Sequence, residues 1–313
     1  MAEASALPIS TPGRVRTGIL LMVACSLIFA SLDAMAKFMG ARYPTLEVVW
    51  FRYTFHVVGM VVVFGPIMGR SMFHANNWRW QLVRGLILVV CTALSFTGLQ
   101  YLPLAEFTAV AFVTPLLVTL LAGPVLGEKV SAARWGAVVL GFGGMLIVIR
   151  PGSGLFGWPA LIPLVMSFVY ALFQLLTRKY AGADNPINTL FFSGLAGAVL
   201  SSCAVPFVWQ TPQPAHWAPL MLMGIMGGGG HLLLMLCFRR APASVLAPFS
   251  YTQLAFAVLI SIVLLNHVPD HWSLIGMGVI AVAGLYAVVL QTLEARAGRR
   301  VHPVSEAEVT VTD

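Results

Sequence analysis

The chain has 313 residues, 59% of them hydrophobic and only 9% charged, with a formal net charge of +7. A soluble domain averages about 25% charged residues, so a water-soluble globule is excluded, and the length excludes one small module. The basic residues sit between apolar runs rather than on one amphipathic face. That is a topology signal, not a phosphate-binding patch, and no nucleic-acid partner is expected.

A helix needs about 20 apolar residues to cross the hydrocarbon core of a bilayer. Ten such runs follow one another, at 17–39, 46–68, 79–100, 104–124, 133–150, 157–179, 188–209, 217–238, 242–265 and 272–293. Pro, Gly or charged residues punctuate the gaps, among them Tyr43-Pro44, Pro103, Gly127-Glu128-Lys129, Asn185-Pro186 and Pro242. The expected fold class is all-α integral membrane, with ten transmembrane helices and the lipid bilayer as solvent. The polar tails 1–16 and 294–313 are expected to be cytoplasmic and disordered. Arg14 and Arg16, an apolar run and Ala34-Met35-Ala36 imitate a signal peptide, but the run is too long for a signal core and Asp33 precedes the small-residue site. With the N-terminus inside, thirteen Lys and Arg fall on the cytoplasmic side against Lys37, Arg42 and Arg150 outside, while Arg52 and Arg84 lie within runs. The positive-inside rule then puts both termini in the cytoplasm. Cys25, Cys91, Cys203 and Cys237 each lie in an apolar run without a C-x-x-C pair. They read as buried free thiols rather than disulfides or metal ligands.

The chain repeats itself weakly. Residues 103–149 parallel 242–289, with Pro103 matching Pro242, Ala109 matching Ala247, Gly136 matching Gly276 and Gly144 matching Gly284. Upstream, KFMGARYP (37–44) parallels KYAGADNP (179–186). The halves are 17–152 and 153–293, five runs each. Five is odd, so the second half enters the membrane from the opposite side. Two inverted five-helix repeats point to a secondary transporter with its substrate site near the midplane; a duplicated membrane scaffold without a pathway is the plain alternative. GGGG at 227–230 reads either as a cavity wall or hinge, or as tight helix packing.

An ionisable side chain in mid-membrane costs about 2.5–3.5 kcal/mol on insertion scales. Asp33, Arg52, His56, Arg84, Glu106 and His231 are the candidates. Helix depth puts Asp33, Arg52 and Glu106 in one outer layer, where either carboxylate could pair with Arg52. Arg52 is permanently charged and needs a carboxylate or an anionic ligand. Its reading stays open between substrate binding, a gate and a structural ion pair. Arg84 lies about a turn inside the cytoplasmic end of its run and is expected to snorkel. His56 shares a face with Arg52. Both His56 and His231 could carry protons, hydrogen-bond substrate or simply pack. Tyr53, Tyr170, Gln174, Tyr251 and Gln253 complete a polar and aromatic set. Pro115 and Pro248 are expected to kink their helices beside it. There is no G-x-x-x-x-G-K-[ST], H-E-x-x-H or G-x-S-x-G, so neither ATP use, a cofactor nor hydrolase chemistry is expected.

Ten runs in two halves, with the block FTAVAFVTPLLVTLLAGPVLGEKVSAARWGAVVLGFGGMLIVIRPG (107–152), resemble the EamA-type transporters of the drug/metabolite transporter superfamily. Pro115, Gly127-Glu128 and Trp135-Gly136 carry the resemblance, which spans about residues 17–293. The second half departs from it, with Gln253 where Pro115 predicts proline and Asn266 where Glu128 predicts glutamate. DAMAKFMGARYPTLEVVWFRYTFH (33–56) with LVRG (82–85) is similar to S-adenosylmethionine and riboflavin uptake carriers. The resemblance implies a carrier in the bacterial inner membrane that moves a small organic metabolite by alternating access. It also places Asp33, Arg52 and Arg84 in a subfamily pattern. Export of amino acids or other metabolites, an integral-membrane enzyme or assembly factor, and a channel are the alternatives. A proton as coupling ion and a homodimer are further expectations.

Overall fold

The computed structural model describes residues 12–126, 131–150, 155–179 and 185–301. Among them all regular structure is helical: α1 (Pro12–Gly40), α2 (Thr45–Met68), α3 (Trp78–Tyr101), α4 (Leu104–Ala111), α5 (Thr114–Leu126), α6 (Ala132–Val148), α7 (Leu161–Lys179), α8 (Pro186–Ala204), α9 (Pro214–Phe238), α10 (Ala243–Ser250), α11 (Thr252–Val263) and α12 (His271–Val301). Three helices, α3, α6 and α8, start where side chains satisfy orphan amides. Asn77, Ser131 and Asn185 accept from the backbone N–H groups of Trp80, Arg134 and Ile187. α2 stops at Gly69, whose φ of 54° suits glycine.

Nine helical spans among the described residues are long and apolar enough to cross a membrane. α6, with 17 residues, is the tenth and shortest; it rises about 26 Å, at the lower limit for a core about 30 Å thick. Val62, Ile67, Val139, Leu146, Val263 and Val282 are exposed on the outside, where a bilayer would solvate them.

Two runs expected as single kinked helices are broken. The fourth divides into α4 and α5 at Phe112–Val113, the ninth into α10 and α11 at Tyr251. Pro115 has no N–H to offer the Ala111 carbonyl. The Thr114 hydroxyl donates to it instead, at 2.7 Å, and Ser167 of α7 reaches it at 3.4 Å. At the second break Ser250 donates to Ala247 at 2.7 Å and Thr252 to Phe249 at 2.6 Å. Hydroxyls thus satisfy carbonyls that a bilayer could not.

The contacts have two-fold logic. α1 packs on α9 as α7 packs on α3; α2 on α9 as α8 on α3; α1 on α11 as α7 on α5. α2 with α8 and α6 with α12 are their own counterparts. Exchanging the five-span halves maps each of these contacts onto another, as an inverted repeat requires. The largest apolar cluster draws Met39, Phe51, Leu99 and Phe107 from one half and Met166, Leu220 and Met223 from the other, so the halves share a core.

The tails differ from expectation. Residues 12–16 open α1, and α12 runs to Val301. Glu294, in the supposed tail, is tied to Ser131 and to Arg134 at the start of α6; these tertiary contacts are invisible in a local reading. The rest of the tails and Gly127-Glu128 lie outside the described residues. Cys25, Cys91 and Cys237 are buried and free, whereas Cys203 is exposed.

Candidate functional site

α2 presents Arg52 and His56 on one face, a turn apart, and α9 meets that face with its glycines. A Cβ on Gly227 would lie 3.4 Å from Arg52 Nε, and one on Gly228 3.3 Å from His56 Cδ2. On Gly224 it would come 2.5 Å from Phe55 Cβ and 2.7 Å from the His56 backbone nitrogen. The glycine run is therefore unbroken helix, and of the two readings close packing is the one the geometry realises. Each helical glycine costs about 1 kcal/mol relative to alanine; direct backbone approach of α2 and α9 offsets it.

Arg52 is 5% exposed. Its Nε and Nη1 have no hydrogen-bond partner among the described residues, and its Cζ lies 4.6 Å from the centre of the Tyr53 ring. The expected ion pairs are not formed. Asp33 of α1 feels the Arg52 charge without reaching ion-pair distance, and Glu106 is engaged elsewhere. Its Oε1 lies 3.1 Å from His267 Nε2, with Lys37 nearby, because α4 begins at the pole opposite the chain termini and faces the α11–α12 connection.

His56 is 2% exposed, and neither ring nitrogen has a well-formed hydrogen bond among the described residues, the Leu190 backbone being the polar group beside it. His231 of α9 sets its ring edge-on to Phe29, centroids 5.2 Å apart, and shares an electrostatic neighbourhood with Arg52, His56 and Arg84. Tyr170 of α7 stacks on Phe173 at 5.7 Å, within the fields of Arg52 and Arg84. Asp33, Tyr170 and His231 lie deep among protein atoms yet keep part of their surface accessible. Gln174 is exposed. It is nine positions, about 2.5 turns, from lipid-facing Val165, so it looks inward on the side of Tyr170.

Other candidates are placed elsewhere. Arg84 is buried rather than snorkelling: it donates to Thr177 Oγ1 at 2.9 Å, Ser193 Oγ at 2.7 Å and the Thr189 carbonyl at 3.3 Å, and its Cζ lies over the Phe173 ring at 4.7 Å. These partners sit on α7 and α8, so Arg84 bolts the halves together. Tyr53 is fully buried, hydrogen-bonded to Thr92 at 2.8 Å and the Leu88 carbonyl at 3.1 Å, with its ring against Gly197. It is core. Tyr251, at the α10–α11 break, packs its ring 5.0 Å from Phe112 and its hydroxyl on Gly284. Gln253 is partly exposed one residue into α11.

Sequence reasoning missed Glu47 as a buried group: it is 0% exposed and accepts from the Gln210 backbone N–H at 3.0 Å. It also missed His267, for which no local signal exists, because the residue gains its partner across 161 positions.

The arrangement suits an anion. A buried guanidinium with free N–H groups is costly unless something negative meets it, and its fork matches a carboxylate. Asp33, within the field of Arg52, suits a cationic group, and Phe29, Tyr170 and His231 supply ring faces and edges.

The sequence profile of the EamA-like transporter family matches residues 16–150 and again 157–290. An S-adenosylmethionine uptake transporter of Rickettsia bellii is 27% identical over 256 residues, 82% of this chain and 88% of that protein. A riboflavin transporter of Vibrio cholerae is 24% identical over 288 residues, 91% of this chain and 97% of that protein. A pseudopaline exporter of Pseudomonas aeruginosa is 25% identical over 275 residues, covering 86% and 95%. A solved crystal structure, 20% identical and aligned over 92% of this chain and 99% of that one, has a TM-score of 0.65 and the same fold.

Proposed function

This chain belongs to the EamA-like transporter family, a membrane transporter of small metabolites rather than an enzyme, and on that premise we propose that it carries a zwitterionic metabolite bound at Arg52. The observation that carries the reading is the pair of unpartnered, buried Arg52 nitrogens. A substrate carboxylate takes that fork, its cationic centre sits toward Asp33, and a flat ring lies among Phe29, Tyr170 and His231. An amino acid joined to an aromatic base has this chemistry, as S-adenosylmethionine does. Riboflavin offers the ring without the carboxylate and is the weaker fit.

The two halves rock about the site so that it opens to each side in turn. The excess of Lys and Arg at the pole of the termini supports a bacterial inner-membrane orientation with both termini cytoplasmic. A proton is the proposed coupling ion. The exposed outer faces of α6 and α12 leave room for a homodimer. Export is the second reading, favoured by the similarity to the pseudopaline exporter.

Purified protein should be stabilised against heat by S-adenosylmethionine more than by riboflavin or free amino acids, and proteoliposomes should accumulate it. Stabilisation by riboflavin alone would overturn the zwitterion assignment. Efflux without uptake would select the exporter.

A further inference from the structure

We propose that Glu106 and His267 form a proton-operated latch that closes the pole opposite the termini between the two halves. It refines the carrier reading and stands on its own geometry. Glu106, in the first turn of α4, is 3% exposed. One carboxylate oxygen meets His267 at 3.1 Å, and the other has no hydrogen-bond partner among the described residues. His267 belongs to the second half, and 40% of its side chain is exposed, so protons from that side reach it. Its position is fixed locally. Asn266 takes a left-handed φ of 51°, and the His267 N–H donates to the Ser261 carbonyl at 2.9 Å.

A cavity of about 210 Å³ opens beside the pair, lined by Lys37, Tyr101, Pro103, Ser261, Leu265 and His267. The Ser261 hydroxyl is buried without a partner among the described residues. A charged imidazole adds ion-pair attraction to its hydrogen bond with the carboxylate; a neutral one makes the hydrogen bond alone and holds more weakly. Protonation of His267 therefore tightens the latch, and deprotonation loosens it.

The other charges around the pair stay in place. Lys37 faces Glu106 from α1 and is committed to the Leu99 and Leu102 carbonyls. Asp33, one turn along α1, faces Arg52. Tyr101 lines the cavity from the end of α3. Asp270, on the same connection as His267, is bound at 2.8 Å to Arg150, just beyond the end of α6, which with the Ser273 N–H holds its carboxyl well below the usual carboxylate range. His271 lies against Trp272 at 5.4 Å. His267 is thus the proton-accepting side chain that both touches Glu106 and is exposed to the outside.

Ser261→Cys reports the latch from beneath, in a full-length chain whose four native cysteines are replaced by alanine. In proteoliposomes, labelling by a membrane-impermeant maleimide is measured between about pH 5 and about pH 8, each rate normalised to the same protein unfolded at that pH. The expected result is labelling about tenfold slower at the acid end, as one charge-assisted bond allows. H267Q should label fast and E106Q likewise, both without pH dependence. H267K, charged throughout, should stay slow. If the parent labels at one rate across the range, or if H267Q keeps the parent's pH-dependent protection, the latch does not exist. The measurement needs no substrate, so its outcome is independent of the Arg52 assignment.

Discussion

At the scale of single residues, Arg52 and Arg84 show how one side-chain type serves two ends. Both are buried guanidiniums, but Arg84 has its hydrogen bonds supplied by Thr177, Thr189 and Ser193, while Arg52 keeps two nitrogens free. Arg84→Lys should therefore lower thermal stability with little change in substrate affinity, since an ammonium cannot reproduce the fork. Arg52→Ala should fold yet lose about 2–4 kcal/mol of substrate binding, read as a vanished ligand-induced shift in melting temperature. Arg52→Lys should recover part of it. Unchanged transport by Arg52→Ala would remove Arg52 from the site. That both arginines are unusual was legible from their place in apolar runs; which one is satisfied was not, because every hydrogen-bond partner of Arg84 lies at least 93 positions away in the chain.

At the scale of elements, the glycine-rich α9 separates positions that look alike in sequence. Gly224 abuts the α2 backbone at Phe55 and His56, whereas a Cβ on Gly229 would meet nothing within 4 Å. Gly224→Ala should then cost about 1–3 kcal/mol by overpacking, and Gly229→Ala should be neutral or gain up to about 1 kcal/mol of helix propensity. Unfolding midpoints in detergent decide between these signs; equal effects would mean that the α2–α9 interface is wrongly placed. The broken helices carry a similar lesson. Pro115 and Pro248 announced irregular backbone in two spans, but a proline alone does not distinguish a kink from a break. Thr114, Ser250 and Thr252 take over carbonyls three residues back in their own segments, but whether Ser167 could join them depended on where α7 lies.

At the scale of the whole molecule, the two halves are joined at both poles. Near the termini Arg134 and Ser131 hold Glu294; at the other pole Arg150 holds Asp270. The Asp270 carboxyl is depressed by its hydrogen bond from Arg150. Its contribution to stability is therefore fully present above the ordinary carboxylate pKa, about 4, and is lost as pH falls through the lowered value. The Asp270→Asn variant should melt below wild type by a constant margin from about pH 8 to about pH 5, and the margin should narrow only in stronger acid. A margin that changes near neutrality would assign the effect to a histidine instead.

The sequence by itself determined the solvent, the approximate number of crossings, the pseudo-symmetry and the likeness to a transporter family. Each is written in composition, in runs of about 20 residues, or in a repeat that survives averaging over many positions. It also marked Arg52, since a permanent charge in an apolar helix is conspicuous whatever surrounds it. Only the tertiary structure decided the pairings. Glu106 was within reach of Arg52 by depth alone, yet depth fixes one coordinate of three. The rotation of α4 and the loop carrying His267 fixed the others, leaving Arg52 Nε and Nη1 without a partner among the described residues and giving the carboxylate to the opposite half.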